Sequence, residues 1–192
     1  EVKVVFNVQE NGKILVGDVH IIGNRYFTDS QLTEQMATRP TTRSALIGSS
    51  SLYQENFVRR DVEFLGYFYR DFGFAEVKVG KAQTEISSDR EYVDVTFTLE
   101  EGPQYRIGSI TISGDEFFPE EELIDAMEIK GGGLFKISYL RKDVDRLIDK
   151  YGDLGYAYVD VNPKTSFNKK DNIVNLDFVV TKGPQVYFGY MQ

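Results

Sequence analysis

Apolar residues alternate with polar ones in three short segments of this chain, and the three segments match one another. Alternation with a period of two is typical of a β-strand with one face buried and one face in water. The second segment follows the first by 91 residues, and the third follows the second by 81. The apolar positions are Val2, Val4, Phe6 and Val8, then Val93, Val95, Phe97 and Leu99, then Val174, Leu176, Phe178 and Val180. This spacing predicts a chain built from repeats of one small domain.

A helical pattern is repeated as well. Apolar residues recur at steps of four and three over residues 55–72 and 137–154, which places them on one stripe of an α-helix. Each stripe is followed by Gly-aromatic-Ala, at Gly73 and Gly155, and glycine readily takes the left-handed conformation that ends a helix. The matched positions are Val58, Val62, Leu65, Tyr69 and Phe72, and Leu140, Val144, Leu147, Tyr151 and Leu154. We therefore predict one long amphipathic helix in each of two repeats.

Each repeat is predicted to run strand, helix, helix, strand, strand. The strands are expected at 14–22, 75–83 and 91–100 in the first repeat, and at 105–113, 157–166 and 172–181 in the second. A short helix should follow the first strand: Thr28 with Gln31 resembles a capping box, and Pro119 suits the first turn of the equivalent helix. The pattern predicts the α+β class, with two helices packed on a three-stranded mixed sheet in each repeat.

The ends of the chain fit the same scheme. Residues 1–12 are expected to be the last strand of a preceding repeat, residues 13–102 and 103–184 two whole repeats, and residues 185–192 the start of a following one. The chain is therefore interpreted as a piece of a longer protein.

The two repeats differ most between their helices. Residues 38–53 form a longer segment than the counterpart around Gly131–Gly133. Extra loop length costs little stability and often carries contacts. Two interpretations stay open, a neutral insertion or a contact surface for a partner.

Composition limits the classes of function. The 192 residues are 41% hydrophobic, which is enough for two small cores. The net charge is −8, and no basic patch alternates with aromatic residues, so nucleic-acid binding is disfavoured. The absence of cysteine excludes disulfides and thiol chemistry, and is compatible with the cytosol or with the periplasm.

The sequence offers little chemistry for an active site. Gly131–Gly133 precede a helix, but no Gly-Lys-Ser/Thr follows, which disfavours a phosphate-binding loop. His20 is the single histidine and has no cysteine to pair with. Glu120–Glu122 are interpreted as charges that favour a helix start.

An acidic run on the second long helix is also given a non-catalytic interpretation. Asp143, Asp145 and Asp149 are expected on an exposed, solvated face, because basic residues lie among them. We predict no catalytic residue, no metal site and no cofactor, and hence no enzyme.

Several motifs occur in both repeats in the same order. They are the two glycines of strand one, Gly17 with Gly23 and Gly108 with Gly114; an aspartate in the long helix, Asp61 and Asp143; the helix exits Tyr69–Ala75 and Tyr151–Ala157; and the closing Gly102-Pro103 and Gly183-Pro184. Together with the βααββ order they closely resemble POTRA repeats. The resemblance covers essentially the whole chain, and the tandem arrangement is similar to that of the BamA family of outer membrane protein assembly factors. Asn11 departs from the pattern, which has glycine at this position in the later copies.

The resemblance implies a cellular role. It implies a string of domains at the periplasmic face of the outer membrane of Gram-negative bacteria, in a protein anchored by a C-terminal β-barrel. The implied partners are unfolded outer-membrane β-barrel proteins and the accessory lipoproteins of the assembly complex, and the segment itself is not expected to span the membrane. The alternative is a docking or spacer segment of a related transporter, TamA-like or of two-partner secretion, with no direct substrate binding.

The resemblance also implies a binding surface, because strand two is the free edge of POTRA sheets. A free edge offers unpaired N–H and C=O groups to which an extended chain can add as a further strand. The residues concerned are Val77 and Val79 facing inward with Lys78, Gly80 and Lys81 facing outward, and Val159 and Val161 inward with Asp160 and Asn162 outward. Pro163 removes a donor from the second edge, so the first repeat is predicted to be the better strand acceptor.

Overall fold

The structure, a computed structural model, describes residues 13–41, 52–114 and 117–186. The predicted strand at Val2–Val8, most of the 38–53 segment and residues 187–192 lie outside these ranges. The elements are β1 Leu15–Ile22, α1 Asp29–Thr33, α2 Glu55–Asp71, β2 Lys78–Val79, β3 Gln83–Ile86, β4 Tyr92–Glu100, β5 Arg106–Ser113, α3 Glu120–Ala126, α4 Ile137–Gly152, β6 Asp160–Asn168 and β7 Ile173–Thr181.

The described strands form two mixed sheets with the same plan. In the first sheet β4 is central, with β1 parallel to it on one side and β2 and β3 on the other. In the second sheet β7 is central, between the parallel β5 and the antiparallel β6. The predicted α+β class and the placement of strand two at an edge are confirmed. A strand that returns parallel requires a crossover, and the two helices of each repeat provide it.

Strand two of the first repeat differs from its prediction. Instead of one strand over 75–83 it forms β2 and β3, with a break at Gly80–Ala82. The N–H of Gly80 still donates to the Thr98 carbonyl at 2.8 Å, so the break follows this bond. Glycine within a strand often marks a bulge, because it has no side chain to pack on the sheet.

The starts of the short helices α1 and α3 test the predicted capping box and the predicted position of Pro119. Thr28 and Gln31 form the capping box, since the Gln31 N–H donates to Thr28 Oγ1 and the Thr28 N–H donates to Gln31 Oε1. The sequence predicts Pro119 in the first turn of α3. In the structure Pro119 instead precedes the helix as its N-cap residue. The three glutamates that follow it occupy that first turn, where their charge favours the positive helix end.

The chain packs into two compact units. Of the described residues, the first unit contains those up to Leu65 together with Val79–Glu100, and the second contains Gly66–Lys78 together with those from Glu101 onward. The last turns of α2 and the helix exit thus group with the second unit. The predicted repeat boundary at residue 102 stays a prediction.

Each unit has its own buried side chains. In the first unit they include Val16, Leu32, Leu65, Val93, Val95 and Phe97. In the second unit the core cluster includes Tyr105, Leu123, Leu147, Tyr151, Leu176 and Phe178. The alternating residues of β4 and β7 are all buried, as the sequence pattern predicts.

The predicted exposure of Asp143 is wrong. Asp143 is fully buried, and its two carboxylate oxygens accept hydrogen bonds from the N–H groups of Glu128 (2.7 Å) and Ile129 (2.9 Å). Asp61 is buried in the same way, and accepts from the N–H groups of Ala37 and Thr38. A buried carboxylate needs such donors, because an unpaired charge is costly away from water. Asp145 and Asp149 are exposed, as predicted.

The glycines Gly17 and Gly108 permit a bulge at the same place in both first strands. The pairing register shifts between Val16 and Val19 in β1, and between Ile107 and Ile110 in β5. A Cβ at Gly108 would collide with Asn175 Oδ1, which accepts the N–H of Ser109 at 2.9 Å.

Candidate functional site

The start of the outer margin of strand one is paired by the chain itself in both units. In the second unit the N–H of Ile107 donates to the Gly133 carbonyl, and the N–H of Phe135 donates to the Tyr105 carbonyl. In the first unit the N–H of Thr41 donates to the Val16 carbonyl, and Leu15 forms an isolated bridge with Leu52. The glycines at 131–133, whose sequence disfavours a phosphate-binding loop, therefore serve as backbone partners of β5.

The outer margin of strand two is open within the described residues. There β6 pairs with β7 alone, and both β2 and β3 pair with β4 alone. Each sheet therefore has one margin that its own chain pairs in part, and an opposite margin, along strand two, that another chain can pair with.

The predicted edge residues of the first repeat show the predicted alternation. Val77 is buried at 4% exposure and Val79 is half-buried, whereas Lys78, Gly80 and Lys81 are exposed. The N–H of Lys81 makes no backbone hydrogen bond within the described part of the chain. This amide therefore offers a donor to an added strand.

The equivalent edge in the second repeat is longer and continuous. Val161 is buried and Val159 half-buried, while Asp160 and Asn162 are exposed. Pro163 lies within β6, opposite Phe178, and lacks an N–H. Both edges thus carry a feature that limits pairing, a break in the first and a proline in the second.

A hydrogen-bonded cluster next to the first edge is absent from the sequence-based predictions. The Tyr105 hydroxyl donates to Glu76 Oε2 at 2.5 Å, and Lys169 Nζ donates to Glu76 Oε1 at 2.8 Å. The bonds from Lys169 and Tyr105 lower the pKa of Glu76 below its ordinary value of 4.5. The hydrogen bond to Glu76 and, to a smaller extent, burial raise the pKa of Tyr105 to about 12. The repeat pattern does not mark this cluster, because the position equivalent to Glu76 in the second repeat is Tyr158. Glu76 and Lys169 lie 93 residues apart in the chain, and only the fold brings them together.

The linkers that follow β4 and β7 each make a glutamine hydrogen bond to the end of a long helix, which the sequence analysis does not predict. Gln104 Nε2 donates to the Phe72 carbonyl at 2.9 Å, and Gln185 Nε2 donates to the Leu154 carbonyl at 2.7 Å. The signal is present in the sequence, because Gly-Pro-Gln occurs at both 102–104 and 183–185.

The single histidine of the sequence lies at the surface of a strand. His20 is exposed on β1, opposite Thr96. Among the described residues, no three His, Cys, Asp or Glu side chains lie together in a way that would hold a metal ion. Across the same ranges no helix has the length and apolar character needed to cross a membrane.

Known proteins are similar to this chain in sequence and in fold. The POTRA family model, described as surface antigen variable number repeat, matches residues 14–102 and 105–183. BamA of Nitratidesulfovibrio vulgaris, an outer membrane protein assembly factor, is 22% identical over 95% of this chain and 23% of its own length. A putative outer membrane protein assembly factor of Treponema pallidum is 30% identical over 81% of this chain and 19% of its own. The chain thus spans about a quarter or less of the length of these curated relatives.

A solved structure supports the fold. The crystal structure of Haemophilus influenzae BamA POTRA3-5 superimposes with a TM-score of 0.75 at 22% identity, over 91% of this chain and 68% of the other. The two matches to the family model together cover most of the sequence, in the same places as the two sheets with their helices. The chain belongs to the POTRA family, and its repeats are of the kind found in BamA outer membrane protein assembly factors.

Proposed function

We propose that this chain is a periplasmic POTRA segment of an outer membrane protein assembly factor, and that it binds unfolded β-barrel proteins by strand addition. The relatives named as assembly factors support the general role. The observation that supports the specific mechanism is the open strand-two margin, at the opposite side of each sheet from a strand-one margin whose start is paired by the chain itself. An unfolded barrel protein consists largely of alternating strands, and such a segment can pair with a sheet edge through backbone bonds with little sequence preference.

The first repeat is the better acceptor in this proposal. Its exposed margin at 78–81 contains no proline, whereas the second margin has Pro163. The break at Gly80–Ala82 limits the first site to a short added strand. Accessory lipoproteins of the assembly complex are the further proposed partners.

A second candidate is a docking or spacer role in a related transporter, without substrate binding. The break in the first edge and the proline in the second favour it, because natural sheets use bulges and prolines to prevent edge pairing. In that case changes in the 38–53 segment should impair assembly, and changes at the edges should not.

Photo-crosslinking in cells distinguishes the two. Lys78 and Asp160 occupy equivalent positions in the two repeats. A photo-reactive residue at Lys78 should capture unfolded barrel substrate more efficiently than one at Asp160, because Pro163 limits pairing at the second edge. Equal capture at both positions, or none at Lys78, would contradict the proposal.

A reciprocal proline exchange sharpens the test. Lys81→Pro removes the donor at the first edge, and Pro163→Lys restores the donor at the equivalent position of the second. We expect capture to fall severalfold at Lys78 in the first variant and to rise at Asp160 in the second. Circular dichroism and thermal unfolding of both variants serve as the control for folding.

A further inference from the structure

The two first strands differ in how their outer margin is closed beyond the bulge. In the second unit the N–H of Ile112 is turned away from β7 and donates to Glu120 Oε1 at 2.9 Å. Glu120 is the first residue of α3, and its carboxylate takes the place that the carbonyl of a further strand would have. A side chain thus closes the outer side of β5 at this point.

Ile21 is the counterpart of Ile112 in the first unit. It lies opposite Phe97 in β4, just as Ile112 lies opposite Phe178 in β7. Because the two parallel pairs have the same register, the N–H of Ile21 also faces outward. Whether this amide is closed depends on the side chain at the position of Glu120.

That position holds Asp29, which is one methylene group shorter than Glu120. Asp29 Oδ1 accepts a hydrogen bond from Asn24 Nδ2 at 2.6 Å. No residue in the described ranges accepts the outward N–H of Ile21. The first unit therefore keeps an open donor where the second unit has a closed one.

The open stretch of β1 is short and has clear limits. Alternate residues of a strand present their N–H and C=O groups to the same side, so Val19 faces outward together with Ile21. Before this stretch, the carbonyl of Val16 is already paired by the chain itself. After it, Gly23 turns the chain with a φ of +96°. We call the outer side of residues 19–22 the late β1 margin, and it has room for an added strand of about four residues.

The side chains beside the late β1 margin indicate what such a strand would carry. Ile22 and Tyr26 are each 56% exposed and offer apolar surface to an apolar neighbour. Asp18, at the start of the margin, is exposed, and its carboxylate makes no hydrogen bond or ion pair within the described residues. This carboxylate, in a chain of net charge −8, favours a basic residue on the added strand.

We infer that the late β1 margin is a binding site for a short extended segment of a partner polypeptide, in which a basic residue lies near an apolar one. The segment pairs with the backbone groups of Val19 and Ile21. Its apolar side chain covers Ile22 and Tyr26, and its basic residue forms an ion pair with Asp18.

The kind of occupant follows from the groups that the margin offers. Donors and acceptors alternate along it at the spacing of a strand, which an extended backbone matches and a small anion does not. The second unit lacks this site, because Glu120 already occupies the donor of Ile112. The site lies at the opposite side of the first sheet from strand two, and it does not depend on substrate binding there.

Hydrogen exchange of single amides, measured by nuclear magnetic resonance on the intact chain, tests the site. The probe is a synthetic peptide in which valine alternates with threonine between two terminal lysines. At saturation it should slow the exchange of the Ile21 N–H about fivefold to tenfold, as expected for one new hydrogen bond, and leave the Ile112 N–H unchanged. The same peptide with glutamates in place of the lysines should bind severalfold more weakly, and Asp18→Asn should remove this difference.

A reciprocal exchange of the two acidic residues provides matched variants. Asp29→Glu extends the carboxylate toward Ile21, so exchange of the Ile21 N–H should slow without peptide and the peptide should add no further protection. Glu120→Ala should open the Ile112 N–H to the peptide. Glu121→Ala, at the exposed neighbouring position of α3, should not open it. Circular dichroism and thermal unfolding check that each variant is folded.

Several results would overturn the inference. They are an Ile21 N–H that saturating peptide does not protect, equal protection of Ile21 and Ile112, and the absence of any effect of both Asp29→Glu and Glu120→Ala. Protection that rises with protein concentration in the absence of peptide would instead identify a second copy as the occupant. Lys81→Pro, which removes the donor of strand two, should leave protection at Ile21 intact; its loss in this variant would show that the late β1 margin is not a separate site.

Discussion

One carboxylate on each long helix satisfies two buried backbone amides. Asp61 and Asp143 accept these bonds at 2.7–2.9 Å from the residues that follow the short helix. Arg146 Nη1 adds a third donor to Asp143 at 3.1 Å. In both repeats the carboxylate thus binds the long helix to the segment that follows the short helix.

Replacing this carboxylate should be costly. Asp143→Ala leaves the N–H groups of Glu128 and Ile129 unpaired, and we expect a loss of about 2–4 kcal/mol in the free energy of unfolding of the second unit. Asp145→Ala, which changes an exposed neighbour, should stay within about 0.5 kcal/mol. Denaturant unfolding followed by circular dichroism measures both, and equal values would contradict the assignment.

The Glu76 cluster makes stability depend on pH at both ends of the scale. The pKa of Glu76 is lowered on folding, so its contribution is present above the unfolded value near 4.5 and is lost as the pH falls through the folded pKa. The pKa of Tyr105 is raised to about 12, so its contribution is present below the unfolded value near 10 and is lost as the pH rises toward 12.

A pair of conservative variants separates these effects. Glu76→Gln should flatten the acid limb of the stability profile below about pH 4.5, and Tyr105→Phe should flatten the alkaline limb above about pH 10. The measurement is the free energy of unfolding across the acid and alkaline limbs, with Asp145→Asn, at an exposed position of α4, as the control. Unchanged limbs in both variants would show that the cluster is not coupled to folding.

At the scale of elements, the bulge in strand one depends on a missing side chain. A Cβ at Gly108 would meet Asn175 Oδ1 and Ile173 Cγ2 at distances that no real Cβ adopts. The displaced Asn175 would also lose the N–H of Ser109.

We therefore expect Gly108→Ala to lower the free energy of unfolding by about 1–3 kcal/mol, as for other overpacked sites. Gly152→Ala is the matched control in the same unit, because the added Cβ would meet no atom within 4 Å apart from its chain neighbours and its own helix backbone. That substitution should raise stability by about 0.5–1 kcal/mol, through the helix propensity of alanine. Thermal unfolding checks both, and a neutral Gly108→Ala would mean that the bulge can relax.

The elements also show what periodicity can and cannot predict. The alternation of β4 and β7 and the stripes of α2 and α4 predict their existence and burial, because each side chain position follows from the period. The break at Gly80–Ala82 does not show in the pattern, since a bulge leaves the period on either side intact. Phe72 is predicted on the buried stripe of α2 but is 38% exposed, because it lies beyond the last helical residue, Asp71.

For the whole molecule, internal repetition is the most informative signal. It predicts two sheets with equivalent helices, which the family match to 14–102 and 105–183 supports. Charge alone assigns Asp143 to a solvated face, although its match with Asp61 points to a structural role. The Glu76–Tyr105–Lys169 cluster could not be predicted, because it joins residues that differ between the repeats and that only tertiary structure brings together.

The composition of the second unit leads to a last prediction. Gly66–Lys78 group with this unit, and their hydrogen bonds explain it: Asp71 binds the start of α4, and Gly73 accepts the N–H of Tyr105. A segment held by such bonds should open together with the unit that provides them. Leu176→Ala, at a position 1% exposed in the second core, should cost about 2–5 kcal/mol. We expect hydrogen exchange at residues 72–77 to accelerate with that of α4, while β4 keeps its protection.

The reciprocal control changes the first unit at an equally buried position. Val95→Ala, on the fully buried face of β4, should spare both α4 and residues 72–77. If residues 72–77 instead accelerate only in Val95→Ala, the helix exit folds with the first unit. The repeat boundary that the sequence predicts at residue 102 would then describe how the chain folds better than the division into two compact units does. In that case the bonds of Asp71 and Gly73 would form only after each repeat has folded by itself.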